Sequence, residues 1–231
     1  MECISIFDML KIGVGPSSSH TLGPWQAGRR WICELKDDDV FEDVATITVD
    51  LYGSLSLTGK GHATDIAVIL GMCGYDPITI DVAAIDSYID TISTNKILPF
   101  NNELQVPFDP KTHIIFNKNF KEFHPNGMTF HAMLKNGKKI SSSFYSIGGG
   151  FVVKEERKRK EKKLTEFKGF PMPIEKGTDL LDYCADKNKK ISEVVLDNER
   201  SLRSDKEIDK RILHNNHNKK VSSLCAEEKG K

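Results

Sequence analysis

The run Met128-Thr129-Phe130-His131-Ala132-Met133-Leu134-Lys135-Asn136-Gly137-Lys138-Lys139-Ile140-Ser141-Ser142-Ser143-Phe144-Tyr145-Ser146 reads as two strands joined by a tight turn. Met128–Leu134 and Lys139–Ser146 carry the period of two that an extended chain imposes, and Asn136-Gly137 between them is the strongest short-range hairpin signal. The same period is present upstream in Leu104–Phe108 and His113–Asn117. Downstream, Gly148-Gly149-Gly150 breaks the second strand before Phe151-Val152-Val153. Toward the N-terminus the pattern changes. Residues 20–36 place Leu22, Trp25, Ile32 and Leu35 on one helical face, with Ser19 or Thr21 as the cap and Pro24 in the first turn. Val44–Tyr52 alternates as a half-buried strand, His62–Cys73 reads as a helix stopped by Gly74, Ile78–Val82 as a short strand, and Ile85–Ile92 as an amphipathic helix. Helices first and paired strands later predict an α+β domain over residues 1–153, with helices packed on a mixed or antiparallel sheet.

Beyond it, residues 154–163 (KEERKRKEKK) form a charge run. It contains acidic residues and no interleaved aromatics, so it reads as a solvated linker rather than a nucleic-acid or nuclear-import patch. Residues 164–212 read as a helical connecting segment, with helices at Thr178–Cys184 and Ile191–Ile212, and residues 213–231 as a polar, disordered tail.

A chain of 231 residues is long enough to bury a core, and its 39% hydrophobic and 29% charged content suits a globular protein with a polar tail. Net charge is zero, so nothing global points to nucleic acid or to an anionic membrane surface. No stretch approaches the ~20 apolar residues needed to span a bilayer, and the N-terminus lacks the pattern of a signal peptide, which leaves a cytoplasmic location as the expectation. Cys3, Cys33, Cys73, Cys184 and Cys225 are dispersed with no C-x-x-C pair. That argues against a disulfide framework and against a self-contained zinc or iron–sulfur site. Cys33 and Cys73 sit in apolar helical contexts and read as small buried hydrophobes.

Two loops concentrate the chemistry. Gly13-Val14-Gly15-Pro16-Ser17-Ser18-Ser19-His20-Thr21-Leu22-Gly23-Pro24 combines glycines, prolines and hydroxyls just ahead of a helix. Its glycines allow close backbone approach, and hydroxyls with free N–H groups at a helix start make a seat for a carboxylate or phosphate. His20 stands beside that seat and exchanges a proton near neutral pH. Tyr52-Gly53-Ser54-Leu55-Ser56-Leu57-Thr58-Gly59-Lys60-Gly61-His62-Ala63-Thr64-Asp65 follows a strand, precedes a helix and also ends at a histidine.

These segments, with Ile6-Phe7-Asp8-Met9, Phe123-His124-Pro125-Asn126-Gly127-Met128, Tyr145–Val153 and Ser204–Asp209, resemble the beta-type domain of the iron–sulfur L-serine dehydratases (L-serine ammonia-lyases). The likeness is close over about residues 4–153 and looser over 164–212. The resemblance implies conversion of L-serine to pyruvate and ammonia, with a [4Fe–4S] cluster rather than pyridoxal phosphate. A base must remove the α-proton, and His62, following Gly59-Lys60-Gly61, is the choice for it. An imidazole with pKa near ~6.5 is half available without tuning. Ser17, Ser18, Ser19, His20 and Thr21 are assigned to gripping the substrate, with Lys60 adding charge at the carboxylate or standing as a solvated side chain. Thr64 and Asp65 either orient His62 or are first-turn residues favoured by the helix dipole. His124 matches a family histidine near the site and is assigned a catalytic, substrate-facing or gating role; the other reading is a turn residue. His113 and His131, inside strands, read as structural.

The cluster cysteines of the family's alpha-type half have no counterpart here, so no metal ligand is assigned to this chain. The chain is expected to be a beta subunit that pairs with an alpha-type half, or a truncated product, and to bind no cluster and show no dehydratase activity alone. The face normally covered by the second half favours association, with homo-oligomers among the outcomes. A different class stays open: a non-catalytic module that binds serine or another small carboxylate and regulates a partner.

Overall fold

In the computed structural model of the chain, residues 5–9, 13–155 and 170–213 are described. The expected linker (154–163) therefore lies outside them except for its first two residues. The expected tail apart from Leu213, and Cys3 and Cys225, also lie outside them. The helices are α1 (Ile6–Met9), α2 (Gly23–Asp37), α3 (Gly53–Leu57), α4 (Thr64–Met72), α5 (Ile85–Asn95), α6 (Pro110–His113), α7 (Gly177–Asp186) and α8 (Ile191–Arg200). The strands are β1 (Val44–Leu51), β2 (Ile97–Phe100), β3 (Leu104–Pro107), β4 (Ile114–Phe116), β5 (Gly127–Leu134), β6 (Lys139–Gly148) and β7 (Phe151–Lys154). The chain divides into two compact units, residues 13–158 on one hand and 1–12 with 159–231 on the other.

The larger unit is the expected α+β layer structure. Its five-stranded sheet has the order β4-β1-β5-β6-β7. Only β4 runs parallel to its neighbour β1, and the remaining pairs are antiparallel, so the sheet is mixed. The β5–β6 hairpin pairs Met133 with Lys139. It is closed by a turn in which the Gly137 N–H donates to the Leu134 carbonyl at 2.8 Å, and Gly137 takes φ +80°. One face of the sheet is apolar. Ile47, Val49 and Leu51 of β1 and Met128, Phe130 and Leu134 of β5 are all buried in one core with Trp31 and Leu35 of α2. Trp31 stacks on Phe130 at 5.1 Å and tilts against Phe100 at 5.7 Å, contacts that add about 0.5–1.5 kcal/mol each to burial.

Helices α2 and α4 lie in backbone contact. A Cβ on Gly28 would sit 3.0 Å from the Met72 nitrogen, and one on Gly71 would strike the Trp25 carbonyl. Two glycines at facing positions thus let the helix axes approach, and the two N-terminal ends come out side by side. That placement decides where the histidine-bearing loops meet.

Several expected elements differ. Ile78–Val82 is no strand: Asp76 accepts from the Ile78 N–H at 2.8 Å, Asp81 accepts from the Ala83 N–H at 3.0 Å, and Ile78 and Val82 are exposed. Aspartate-capped turns have captured the segment. Strand β2 was not legible, because Pro99 interrupts a short run; it pairs with β3 as a separate two-stranded ribbon. The helix expected over His62–Cys73 begins at Thr64, because Ala63 adopts φ +53° and breaks the path from His62. Cys73 is buried, its thiol pushed up to about 12 by desolvation, but Cys33 is exposed on the outer side of α2.

In the smaller unit, the expected helix Ile191–Ile212 is two pieces. Helix α8 ends at Arg200, and a new start over residues 205–213 is capped by Ser204, whose carbonyl accepts from the Glu207 and Ile208 N–H groups at 3.0 Å. A buried carboxylate, Glu199, holds the chain's N-terminal segment. It accepts from Ser5 Oγ at 2.9 Å, the Ile6 N–H at 2.7 Å and Arg203 Nη1 at 2.6 Å.

Candidate active site

The first loop turns on Ser17. This residue is extended, its Oγ accepts the His20 N–H at 3.2 Å, and its carbonyl accepts the Thr21 N–H at 2.9 Å and the Leu22 N–H at 3.3 Å. The cap is therefore Ser17 rather than the expected Ser19 or Thr21. What it opens is a π-helical turn, Ser18–Leu22, that runs on into α2. Ser19 Oγ lies 2.9 Å from His20 Nδ1, and Ser17 Oγ 3.4 Å from Ser19 Oγ.

The second loop leaves β1 at Tyr52. Gly53 takes φ +52° with the Pro125 carbonyl against it, a place where a side chain would collide. Its N–H donates to the Asn119 carbonyl at 2.9 Å, and the Ser54 N–H donates to the Pro125 carbonyl at 3.0 Å. After α3 and a short 3-10 turn the chain reaches His62. The ring Nδ1 lies 3.0 Å from the Thr58 carbonyl oxygen. A carbonyl only accepts, so Nδ1 carries the proton and the lone pair of the neutral ring is on Nε2.

The two loops are stitched by reciprocal bonds. Thr21 Oγ1 donates to the His62 carbonyl at 2.9 Å, and Thr64 Oγ1 donates to the His20 carbonyl at 2.6 Å. His20 Nε2 lies 2.8 Å from Ser54 Oγ, and the His20 and His62 rings are 5.1 Å apart at 39°. Burial, and after it the charge of His62, lowers the His20 pKa below its ordinary value, so His20 is neutral at neutral pH. A polar wall with one ring held neutral and an adjacent Nε2 bearing a lone pair can accept a proton from a bound small molecule.

Among the expected residues, Ser17, Ser19, His20, Thr21 and His62 are brought into this one network. Ser18 contributes its carbonyl, which accepts the Gly23 N–H. Lys60 is exposed, with its ammonium 5.4 Å over the Phe116 ring. His124 sits on the third loop, 119–126, where its Nδ1 accepts the Asn126 N–H at 3.1 Å. That loop is joined to the network through the Pro125–Ser54 bond. Thr64 ties the loops together and is fully buried, while Asp65 accepts its neighbour's N–H, from Ile66 at 3.0 Å, as a first-turn residue does. His131 bridges Asp50 Oδ2 at 2.8 Å and Ser141 Oγ at 2.7 Å across three strands, and His113 Nδ1 accepts the Asp109 N–H at 3.3 Å. A cavity of about 600 Å³ lined by Tyr52, Phe120, Lys121, Phe123 and Tyr145, among others, includes none of the expected site residues.

The chain matches the serine dehydratase beta chain family over residues 5–157. It belongs to that family. Similar proteins include the L-serine dehydratase of Haemophilus influenzae, 43% identical over 201 residues, a match covering 86% of this chain and 44% of that protein. L-serine dehydratase 1 of Escherichia coli is 40% identical over 214 residues, covering 91% of this chain and 46% of the relative. The L-serine dehydratase of Streptomyces coelicolor is 35% identical over 212 residues, 91% and 47% of the two chains. The chain thus spans a little under half the length of these relatives.

In this member of the family the residue that the motif reading missed is Ser54. It bonds His20 through its hydroxyl and the third loop through its N–H, and so joins all three segments. The available signal was a hydroxyl placed directly after the glycine that opens α3. Among the described residues no three His, Cys, Asp or Glu side chains converge as metal ligands. The described side chains therefore form no seat for an iron–sulfur cluster. Among the same residues no helix is long and apolar enough to cross a membrane.

Proposed function

We propose that this chain is the substrate-gripping and proton-abstracting part of an L-serine dehydratase that works with an alpha-type half. The observation that carries the reading is the His20–His62 pair, stitched by Thr21 and Thr64 across two loops that each follow a glycine-rich, hydroxyl-rich sequence. The Ser17, Ser18 and Ser19 end of the first loop receives the carboxylate, where the first N–H groups of the turn have no intrahelical acceptor. Lys60 adds positive charge on the approach. His62 Nε2 takes the α-proton, with Nδ1 anchored on Thr58 so that the ring cannot turn its protonated nitrogen toward the substrate. Neutral His20 avoids placing a second cation beside the imidazolium that forms. His124, on the loop that Ser54 anchors, faces or gates the substrate. Expulsion of the β-hydroxyl is assigned to the alpha-type half, which also carries the [4Fe–4S] cluster that the family resemblance implies. The relatives' names, all L-serine dehydratases, support L-serine as substrate.

The test is L-serine deamination by anaerobically purified chain, alone and after mixing with an alpha-type half reconstituted with iron and sulfide. Turnover in the mixture only is expected. His62→Ala in the mixture is expected to lower kcat by about 10²–10⁴-fold, the worth of a positioned base, with serine affinity changed little. A His62→Ala enzyme that keeps its rate but loses its response to serine would replace this reading with a regulatory binding module.

A further inference from the structure

The turn Ser18–Leu22 departs from ordinary helix geometry, and one buried hydroxyl beneath it lacks a partner. In the turn the Gly23 N–H reaches back five residues to the Ser18 carbonyl. Such π turns are rare and gather at functional places. Beneath the turn lies Ser146 of β6, fully buried, whose hydroxyl has no hydrogen-bond partner among the described residues. Buried hydroxyls nearly always find one.

The position of Ser146 is fixed from its other side. Its N–H donates to the Asn126 carbonyl at 3.0 Å, and its carbonyl accepts from Asn126 Nδ2 at 3.1 Å. Asn126 in turn donates its N–H to His124. The hydroxyl itself packs on Gly23: a Cβ there would collide with Ser146 Oγ and would lie 3.5 Å from the Ser18 carbonyl oxygen. The orphan hydroxyl and the carbonyl that closes the π turn therefore flank the same point.

We propose that Ser18–Leu22 is a two-state turn that tightens to α geometry when a carboxylate occupies the Ser17–His20 end, and that Ser146 is the positioning residue for the tightened state. Tightening moves the Leu22 N–H from the Ser17 to the Ser18 carbonyl and the Gly23 N–H from the Ser18 to the Ser19 carbonyl, and Ser146 Oγ–H then donates to the lone pair of the Ser18 carbonyl that Gly23 has left. A carboxylate favours the change because it competes for the Ser17 and Ser19 hydroxyls, which now hold the His20 N–H and His20 Nδ1. Ligand and Ser146 thus act on one equilibrium with differential contacts in its two states. Rewinding the turn also rotates His20 relative to Ser54 and His62, so the grip and the base are set together. This inference rests on the carboxylate reading of the loop given above.

The experiment compares the full chain with its Ser146→Ala and Gly23→Ala variants. Thermal midpoint is read without ligand, L-serine binding by calorimetry, and amide exchange over residues 18–24 with and without L-serine. Ser146→Ala is expected to keep its midpoint without ligand, since no bond is lost there. It should bind L-serine about three- to tenfold more weakly, as one neutral hydrogen bond is worth, and lose the serine-induced change in exchange. Gly23→Ala is expected to lower the midpoint without ligand, because its Cβ meets the Ser146 side chain. Wild-type affinity and an unchanged exchange response in Ser146→Ala would overturn the proposal, as would a fall in its midpoint as large as that of Gly23→Ala. If the unmodified chain fails to bind L-serine at all, the carboxylate reading fails first and the switch falls with it.

Discussion

His20 is a half-buried imidazole beside a second imidazole, and desolvation and the neighbouring ring act in the same direction on its proton. The ordinary value is 6.5, which the unfolded chain retains; the folded value lies below it. Below about pH 6.5 the unfolded chain therefore binds a proton that the folded chain declines, and folding stability falls as pH is lowered through that window. The thermal midpoint is expected to drop on acidification from pH 7, and His20→Gln is expected to flatten that slope; equal slopes in the two proteins would show that His20 carries none of it. His20 and His62 stood out in the sequence because each ends a loop of glycines and hydroxyls. Ser54 was not, since one serine among several in Tyr52–Asp65 acquires its meaning only from what stands opposite. Ala63 was not legible either: alanine favours helix, yet it takes a left-handed φ of +53° between His62 and α4.

At the scale of elements, local rules succeeded where a strong backbone preference agreed with the packing. Asn136-Gly137 promised a hairpin, and β5–β6 is one, closed by Gly137 at φ +80°. Nothing lies within 4 Å of where a Cβ on Gly137 would sit, so substitution there is a backbone matter alone. Gly137→Ala is expected to lower stability by about 1–2 kcal/mol in urea unfolding with the denaturant slope unchanged; no loss would mean that the turn relaxes to another type. Local rules failed where side chains competed for the backbone. Asp76 and Asp81 drew Ile78–Val82 into turns, and Ser204 restarted a helix that the apolar period had run straight through. Cys33 was misplaced for a different reason: helix α2 buries the stripe of Trp25, Trp31, Ile32 and Leu35, and position 33 falls outside it.

At the scale of the whole molecule, the N-terminal residues belong to the smaller unit and not to the sheet. Glu199, with its side chain 2% exposed, gathers Ser5, Ile6 and Arg203, and Phe7 lies under the guanidinium groups of Arg203 and Arg211 at 5.5 and 5.6 Å. Glu199→Ala strands Arg203, itself mostly buried, and is expected to destabilise this unit by about 3–5 kcal/mol. Glu199→Gln keeps one acceptor oxygen, for the Ile6 N–H, and an amide N–H that can donate to the Ser5 hydroxyl, and is expected to be milder. Amide exchange over residues 191–213 reads the effect, and equal protection in Glu199→Ala and the natural chain would remove Glu199 from the account. The charge run near 154–163 gives no hint of this return, because the pairing joins residues almost two hundred positions apart.

The sequence by itself determined the α+β class, most of the elements and the family, since alternation, helical stripes and glycine-hydroxyl loops are local signals repeated along the chain. It also placed His20 and His62 as the residues to watch. Only the tertiary structure decided that their loops meet. Gly28 and Gly71 bring α2 and α4 into backbone contact, Thr21 and Thr64 exchange bonds across the ends, and Ser54 and Ser146 acquire neighbours from distant strands. Those are relations between segments, and no single segment carries the energy that creates them.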